Sequence, residues 1–448
     1  MKKALDYQPK MNVKVLIERC SEADELSQSN NLPSIHPNTL KLDEITEILS
    51  NELPKAGVTR LASITGFSDL PWPVWISIRP NAKALSQSSG KSLSHLSALI
   101  GSAMEGIELS QAEEYIPATQ IRLTYNEAKK HNCLDLTKSP IPTDLFSSTS
   151  PINWTPAKKL EKTGLDSNKS CLIPVNLIKL DFRKQELHPG FANTSNGLAS
   201  GFKREEAISQ ALLECVERHS STLASMYGIA KQVDLSRLPE RCKNLITKLL
   251  ELGLLVTIAD CTAFEGLSVF ECTLTPTNTT AKFTGGMGWG CHPNPEIALL
   301  RSILEANQAR TIIISGSRDD MHKNIYLRER VRNRTETYNQ IIHNSRPLSQ
   351  IVFENSSTPL AIADNIDKTI DILTDNGFNK IYVVPLTSSE EPVQVVKVIV
   401  PGLEGYHSAT YKPINSVNYR HGPFLMAQRL NQHSSMGAIK LNAGGLAQ

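Results

Sequence analysis

GKSLSHLSALIGSAMEGIE (Gly90–Glu108), GLASGFKREEAISQALLECVE (Gly197–Glu217) and GMGWGCHPNPEIALLRSILEANQ (Gly286–Gln308) are three copies of one format, a glycine-rich lead-in that runs into a helix. In each, an alanine lies seven residues before a glutamate: Ala98 and Glu105, Ala207 and Glu214, Ala298 and Glu305. An oxygen-bearing side chain follows three residues later, as Glu108, Glu217 and Gln308. On a helix, positions i−7, i−4, i and i+3 share one stripe, so each segment aims its carboxylate and its partner the same way. One turn before the glutamate stand Gly101, Gln210 and Arg301. An inward stripe is ordinarily apolar, yet here carboxylates share it with the alanines.

A single E-x-x-E reads most simply as a solvated helix face. Three copies in one register reverse that reading. Carboxylates converging in the interior are costly without cations. Oxygen donors with no Cys or paired His select Mg²⁺, which takes one or two carboxylates together with substrate phosphates. The metal set is therefore Glu105, Glu108, Glu214, Glu217 and Glu305, around one nucleotide. The glycine-rich lead-ins would bring backbone N–H groups and helix N-termini to its phosphates. No segment fits G-x-x-x-x-G-K-[ST], so this is not a P-loop. Lys91, in a glycine turn, and Arg301 are the matching phosphate contacts, with Arg79 and Arg318 as further members of the basic set. The third copy carries Arg301, Glu305 and Gln308, which predicts two helices that mainly hold metal and one that also touches nucleotide.

Outward from these segments, short strands are expected at VTRLASITG, VWISIRP, CLIPVNLIKL, LLVTIADC, LSVFECTL, KIYVVPL and QVVKVIVPG. Helices are expected over Leu40 to Leu53, Leu96 to Tyr115, and residues 204 to 226, 238 to 252, 295 to 314 and 364 to 376. The class is mixed α+β, not an alternating parallel α/β chain. Residues 132 to 170, rich in Pro, Ser, Thr and Lys, read as a long surface connection, and 27 to 33 as a loop. This divides the chain into an N-terminal flank (1–54), a catalytic domain (55–425) and a C-terminal tail (426–448).

The 448 residues allow a large core. Lys+Arg (47) and Asp+Glu (45) nearly cancel, so no global charge steers the chain to nucleic acid or a membrane surface. No apolar run has signal-peptide or spanning length, which places the chain in the cytoplasm as an expectation. The eight cysteines include no C-x-x-C pair and read as small core residues. His219 reads more readily as a hydrogen-bonded helix residue than as a general base. Trp72, Trp75 and Trp289 read as core or peptide-groove aromatics, and Arg318-Asp319-Asp320 as a locally bonded turn or a functional run.

RLASITGF, VWISIRPNAKALSQSSGKS, SAMEGIE, SNGLASG, QALLECVER, RSILEANQAR, GSRDD and VKVIVPGLE, in this order, resemble the YcaO family over roughly Gly57 to Arg420. The resemblance implies a YcaO-like arrangement of mixed sheets and helices around a central ATP and Mg²⁺ site. It implies an enzyme that phosphorylates a backbone amide oxygen of a peptide or protein. Position by position, it implies Glu105, Glu108, Glu214, Glu217 and Glu305 as the Mg²⁺ set. Gln210 and Arg301 become ATP contacts, and Lys91 lies near the phosphates.

Two positions depart from the family pattern. Gly101 stands where Ser is usual, with Ser102 beside it, and Leu109 stands where Arg often follows the second glutamate. Members paired with a TfuA-like partner also tend to lack that Arg. The tail GPFLMAQRLNQHSSMGAIKLNAGGLAQ lacks the Pro-x-Pro ending of azoline-forming cyclodehydratases. Both features lean toward thioamide formation with external sulfide and a TfuA-like sulfur-delivery partner. The alternatives are an azoline-forming cyclodehydratase working on Cys, Ser or Thr of a precursor peptide with a leader-binding module, and an ATP-binding accessory factor for a ribosomal-protein modifying enzyme. A homodimer is implied by the resemblance alone.

Overall fold

The computed structural model describes residues 11–26, 40–139, 146–162, 164–183, 190, 191, 193–227, 229–277, 285–321, 348–353 and 361–405. Its elements in chain order begin with α1 (Val13–Leu26), α2 (Leu42–Lys55), β1 (Arg60–Ser63), β2 (Val74–Ile78), β3 (Gln87–Lys91) and α3 (His95–Glu113). Next come β4 (Ile121–Leu123), α4 (Tyr125–Ala128), β5 (Ile152–Glu161), β6 (Gly164–Pro174), β7 (Leu198–Gly201) and α5 (Arg204–Tyr227). Then follow β8 (Lys231–Gln232), α6 (Glu240–Glu251), β9 (Leu254–Asp260), β10 (Ser268–Pro276), β11 (Gly286–His292) and α7 (Pro295–Ser315). The last are α8 (Ile362–Asp375), β12 (Tyr382–Pro385) and β13 (Gln394–Ile399).

The strands make three sheets, ordered β1-β2-β3, β11-β10-β9-β8 and β4-β5-β12-β13-β7, with β6 paired to β5. Every ladder between these strands is antiparallel, as a mixed α+β chain requires. Three helices are wedged between the sheets. Helix α3 lies against β2 and β3 on one side and β7 on the other. Helix α5 lies against β7 and β13 and also against β11 and β10, while α7 lies against β11 and β10 and reaches β3. Each repeated segment is thus a strand–turn–helix unit, and the three sheets are linked through the helices, α3 reaching β7, α5 reaching β11 and α7 reaching β3.

Glycine has a different reason in these units than the sequence suggested. Gly90 lies within strand β3, not in a loop, and a Cβ there would stand 2.0 Å from the Ala98 carbonyl oxygen and 2.4 Å from Ser102 N. Gly290 repeats the contact on α7, with a Cβ 2.2 Å from the Ala298 oxygen and 2.7 Å from Ser302 N. These glycines let a strand lie flat on the following helix at its alanine, and Ala98, Ala207 and Ala298 are wholly buried. Two of the helix N-termini expected to meet phosphate, those of α3 and α7, are already capped. Ser94 accepts from the Ser97 N–H, and Asn294 accepts from the N–H groups of Glu296 and Ile297.

The expectation of a surface connection over 132 to 170 is overturned. Residues 152–161 and 164–174 form the long β5–β6 hairpin, in which Trp154 is fully buried among Ile152, Ala157, Cys171 and Ile173. Lysines and a mid-strand proline hid a broken alternation in which Ile152, Trp154, Ala157 and Leu160 point inward. The loop expected at 27 to 33 and the whole tail from 426 lie outside the described residues.

Helices α1 and α2, in the expected N-terminal flank, both pack on α3. Val13, Ile17 and Cys20 of α1 and Ile45, Leu49 and Leu53 of α2 join Ala98, Leu99 and Ala103 of α3 in one cluster. Asp24 of α1 is buried against the start of α3, where its carboxylate accepts from the His95 and Leu96 N–H groups (2.7 and 3.0 Å) and from Ser94 Oγ (2.7 Å). With Ser94 on the Ser97 N–H, the first donors of α3 are satisfied. All eight cysteines are free thiols, buried except for half-buried Cys133. No helix among the described residues is long and apolar enough to cross a membrane.

Candidate active site

The wedge geometry carries the common register into space, because each helix is held to its own strand by its glutamate. The Ser89 N–H on β3 donates to Glu105 Oε2 (2.5 Å), and the Trp289 N–H on β11 reaches Glu305 Oε1 (3.5 Å). One device, a strand amide fixing the next helix's carboxylate, therefore occurs on β3 and β11, while at the third unit the Gly197 amide, just before β7, acts to lower the Glu214 pKa against its burial. Together these amides aim the three glutamates into the space between α3, α5 and α7.

Side chains then tie the units together. Lys91 Nζ, at the end of β3, makes a 2.7 Å ion pair with Glu305 Oε2 on α7. Gln308 Nε2 donates to Ser89 Oγ (2.9 Å), and Ser200 Oγ on β7 donates to Glu108 Oε2 (3.1 Å). Arg218 stands 3.7 Å from Glu214 and 4.0 Å from Glu217. Lys91 is a strand residue, so the expected glycine turn is replaced by a rigid edge. Arg301, expected one turn before Glu305, is held by the Cys291 carbonyl oxygen (3.0 Å). Gln210 is half-buried on α5 one turn before Glu214.

The carboxyl groups sense one another across the helices. Burial, then the charges of Glu105 and Glu214, push Glu108 well above the usual carboxylate range. Burial raises Glu105, opposed by the Ser89 N–H and the Lys91 charge, and raises Glu214, opposed by Arg218 and Lys397. Glu217 is pushed up to about 7 by burial and by Glu305, against Arg218. At Glu305 burial also acts upward, but Lys91, Arg218 and the Trp289 N–H outweigh it and hold the carboxyl below its ordinary value. Carboxyls with raised pKa values are groups whose ionised form wants more positive charge than the protein supplies.

That demand suits a bound divalent cation. Among the described residues no group of three or more His, Cys, Asp or Glu side chains closes into a metal cage. Separate carboxylates on three helices, with Lys91, Arg218 and Arg301 between them, fit instead a cation that keeps water and phosphate oxygens in its shell, as Mg²⁺ does.

Several candidates from the sequence lie elsewhere. Arg79 is buried in a two-point pair with Glu113, both side chains 3% exposed with bonds of 2.9 and 2.7 Å, and it also donates to the Leu85 carbonyl (3.2 Å). It is a structural ion pair, not a phosphate contact. Arg318 pairs with Asp320, while Asp319 accepts from the Ser86 N–H (3.1 Å), so this run is a turn tied to β3's lead-in. Arg318 also feels the charge of Glu105, which keeps it beside the site. His219 is buried, stacked on Phe264 at 5.2 Å, and its Nδ1 accepts from the Glu404 N–H. Burial drops it to about 3, so it is a neutral packing residue with little basicity. Ser102 cannot substitute for a hydroxyl at Gly101, because its side chain is fully buried and donates to the Leu99 carbonyl. Trp72 and Trp75 are core residues.

Lys397 on β13 and Ser200 on β7 were missed by the sequence reading. Lys397 is 3% exposed, its Nζ donates to the Thr194 carbonyl (2.8 Å), and it faces Glu214, Cys215 and Glu108. The signal was a lone lysine inside the apolar run QVVKVIV, where a buried charge needs partners.

An antiparallel α+β frame with a carboxylate-lined, cation-demanding centre fed by three strand–helix units defines the class to which this molecule belongs. The family model described as YcaO cyclodehydratase, ATP- and Mg²⁺-binding, matches residues 89–404, and the chain belongs to the YcaO family. Its relatives include an uncharacterized protein in the tfuA 3′ region of Rhizobium leguminosarum bv. trifolii, 31% identical over 79% of this chain and 86% of that one. An uncharacterized protein of Methanothermobacter thermautotrophicus is 30% identical over 83% and 96%. Among solved structures, a heterocyclase in complex with substrate and cofactor aligns with a TM-score of 0.66 at 20% identity, covering 86% of this chain and 57% of that chain. YcaO from Methanopyrus kandleri bound with AMPPCP and Mg²⁺ aligns with a TM-score of 0.61 at 22% identity, over 80% and 91%. These likenesses establish the shared fold. ATP and Mg²⁺ are the ligands of the family, and ATP-dependent peptide modification is its class of activity.

Proposed function

We propose that this chain activates a backbone amide of a peptide or protein by phosphorylating its oxygen, and that external sulfide then gives a thioamide, with a TfuA-like partner delivering the sulfide. The observation that carries the amide-activating part is the convergence of Glu105, Glu108, Glu214, Glu217 and Glu305 from three helices onto one cation-demanding space. The sulfide part is supported by a relative lying in a tfuA 3′ region and by Leu109, a core residue where an Arg is often found.

ATP bound there supplies the phosphoryl group that makes the amide oxygen a good leaving group. The chain's own residues do the rest. The five glutamates hold Mg²⁺, Gln210 and Arg301 orient the nucleotide, and Lys91 meets phosphate from the edge of β3 while steadying Glu305. In the net exchange sulfide replaces the amide oxygen, which departs on phosphate. Mass spectrometry of the peptide product tests this directly. Exchange of oxygen for sulfur raises the mass by the difference between the two atoms, whereas loss of one water marks ring closure and rejects the thioamide reading.

The second reading, azoline formation by a Cys, Ser or Thr of the substrate, is favoured by the family model's cyclodehydratase description and by the heterocyclase fold neighbour. It uses the same residues and differs only in the nucleophile.

A further inference from the structure

A cleft of about 280 Å³ lies where the chain leaving α3 meets β5 and the turn after β6, apart from the carboxylate site. Its walls carry carboxamides: Gln120 before β4, Asn153 on β5 and Asn176 in the turn after β6, none with a side-chain partner among the described residues. Asn193, also in the wall, engages only its amide nitrogen, which donates to the Asp181 carbonyl oxygen (3.2 Å). A carboxamide offers a donor and an acceptor together, the same two groups that each backbone amide presents.

The charges around the cleft do not cancel. Asp181, 2% exposed, is neutralised by Arg183, whose guanidinium donates to both carboxylate oxygens (2.8 and 2.5 Å). Lys179 in the same wall is in no ion pair among the described residues. Arg122 stands opposite Asn153 in the β4–β5 ladder, hence on the same face of the sheet, and is also exposed and unpaired among them. Ile116, 82% exposed, adds an aliphatic side to the wall. Strand β4 ends its sheet, with β5 on one side only, so its other edge can take a further extended chain.

The cleft is also tied to the carboxylate site. Tyr115, in its wall, follows Glu108 by seven residues, which is about 10 Å along the α3 direction. An extended peptide covers that distance in about three residues. Asn193 directly precedes Thr194, whose carbonyl oxygen accepts from Lys397 on β13 (2.8 Å), the strand that packs on α5.

We propose that this cleft is a docking subsite for the peptide substrate. It takes an extended, acidic segment about three residues from the amide being activated, with backbone on the carboxamides, a carboxylate on Lys179 and Arg122, and an aliphatic side chain on Ile116. This rests on the carboxylate site being where the amide is activated, but docking itself needs neither ATP nor metal.

Fluorescence anisotropy of the full chain with a fluorescein-labelled heptapeptide, Asp-Leu-Glu-Leu-Asp-Leu-Glu, tests the proposal. Wild type is expected to bind this probe at least about tenfold more tightly than the same heptapeptide with Lys at every acidic position. Lys179→Glu, and Asn153→Ala combined with Asn176→Ala, should each weaken binding by about fivefold or more, while the unfolding midpoint and the affinity for Mg²⁺–AMPPCP stay at wild-type values. Equal affinity for both probes, unchanged binding in the variants, or no binding by wild type up to millimolar probe would overturn the docking subsite. Full displacement of the acidic probe by millimolar inorganic phosphate would overturn it as well, by reducing the cleft to a simple anion site. Wild type that fails to bind Mg²⁺–AMPPCP would instead fault the nucleotide reading, while the two probes still decide the cleft.

Discussion

At the residue scale, the glutamates stand out because their identities and spacing repeat, and Lys91 and Arg301 stand out with them, but which carboxylate each cation meets is not legible. Lys91 and Glu305 are 214 positions apart, and no pattern in sequence announces a 2.7 Å pair between a strand edge and a distant helix. Lys397 was hidden in an apolar run for the same reason. Arg79 misled in the opposite sense, since a buried arginine near a motif reads as a ligand contact until its carboxylate partner, Glu113, is seen. Glu217 gives a pH prediction. Its folded pKa is raised to about 7 from 4.5, so the folded state keeps a proton that the unfolded chain has lost between those values. Stability of the metal-free protein should fall as pH rises through that window and level off above it. Glu217→Gln should flatten that slope in pH-dependent chemical denaturation; an identical slope in both proteins would show that Glu217 does not titrate there.

At the element scale, the six expected helices lie within about two residues of their observed ends, whereas α1 (Val13–Leu26) was not expected. The strands beneath them were misread because glycine in a strand looks like a turn. Gly90 and Gly290 are there so that β3 and β11 can touch Ala98 and Ala298. Gly90→Ala and Gly290→Ala should each destabilise by about 2 kcal/mol or more, because the new methyl meets helix backbone that cannot step aside. Gly101→Ala is the control, with only the Gly90 Cα nearby at 3.6 Å, and helix propensity favours it. Urea denaturation of the three variants checks the ranking, and equal losses would refute the strand-on-helix account. The β5–β6 hairpin is hard to see in sequence because its lysines are mostly exposed and its two-residue alternation breaks at Trp154/Thr155 and again at the Lys158/Lys159 irregularity, so no clean strand period survives.

At the scale of the whole molecule, three sheets and three wedged helices make a site that no single segment contains. The α+β class followed from the order of expected strands and helices along the chain. The sheet order did not, because β7 pairs with β13 across almost two hundred residues. Helix α1 belongs to this whole as well, since Asp24 caps the helix that carries Glu105 and Glu108. Asp24→Ala should cost about 1–2 kcal/mol in denaturant unfolding. No loss would mean that α1 packs on α3 without anchoring it. The proposed activity requires glutamates from three helices to bind one Mg²⁺–nucleotide. Calorimetric titration with AMPPCP, with and without Mg²⁺, tests it without knowledge of the substrate. Binding should require Mg²⁺ and weaken by about a hundredfold or more in both Glu214→Gln and Glu305→Gln, although these residues lie on different helices. Metal-independent binding, or wild-type affinity in either variant, would contradict it.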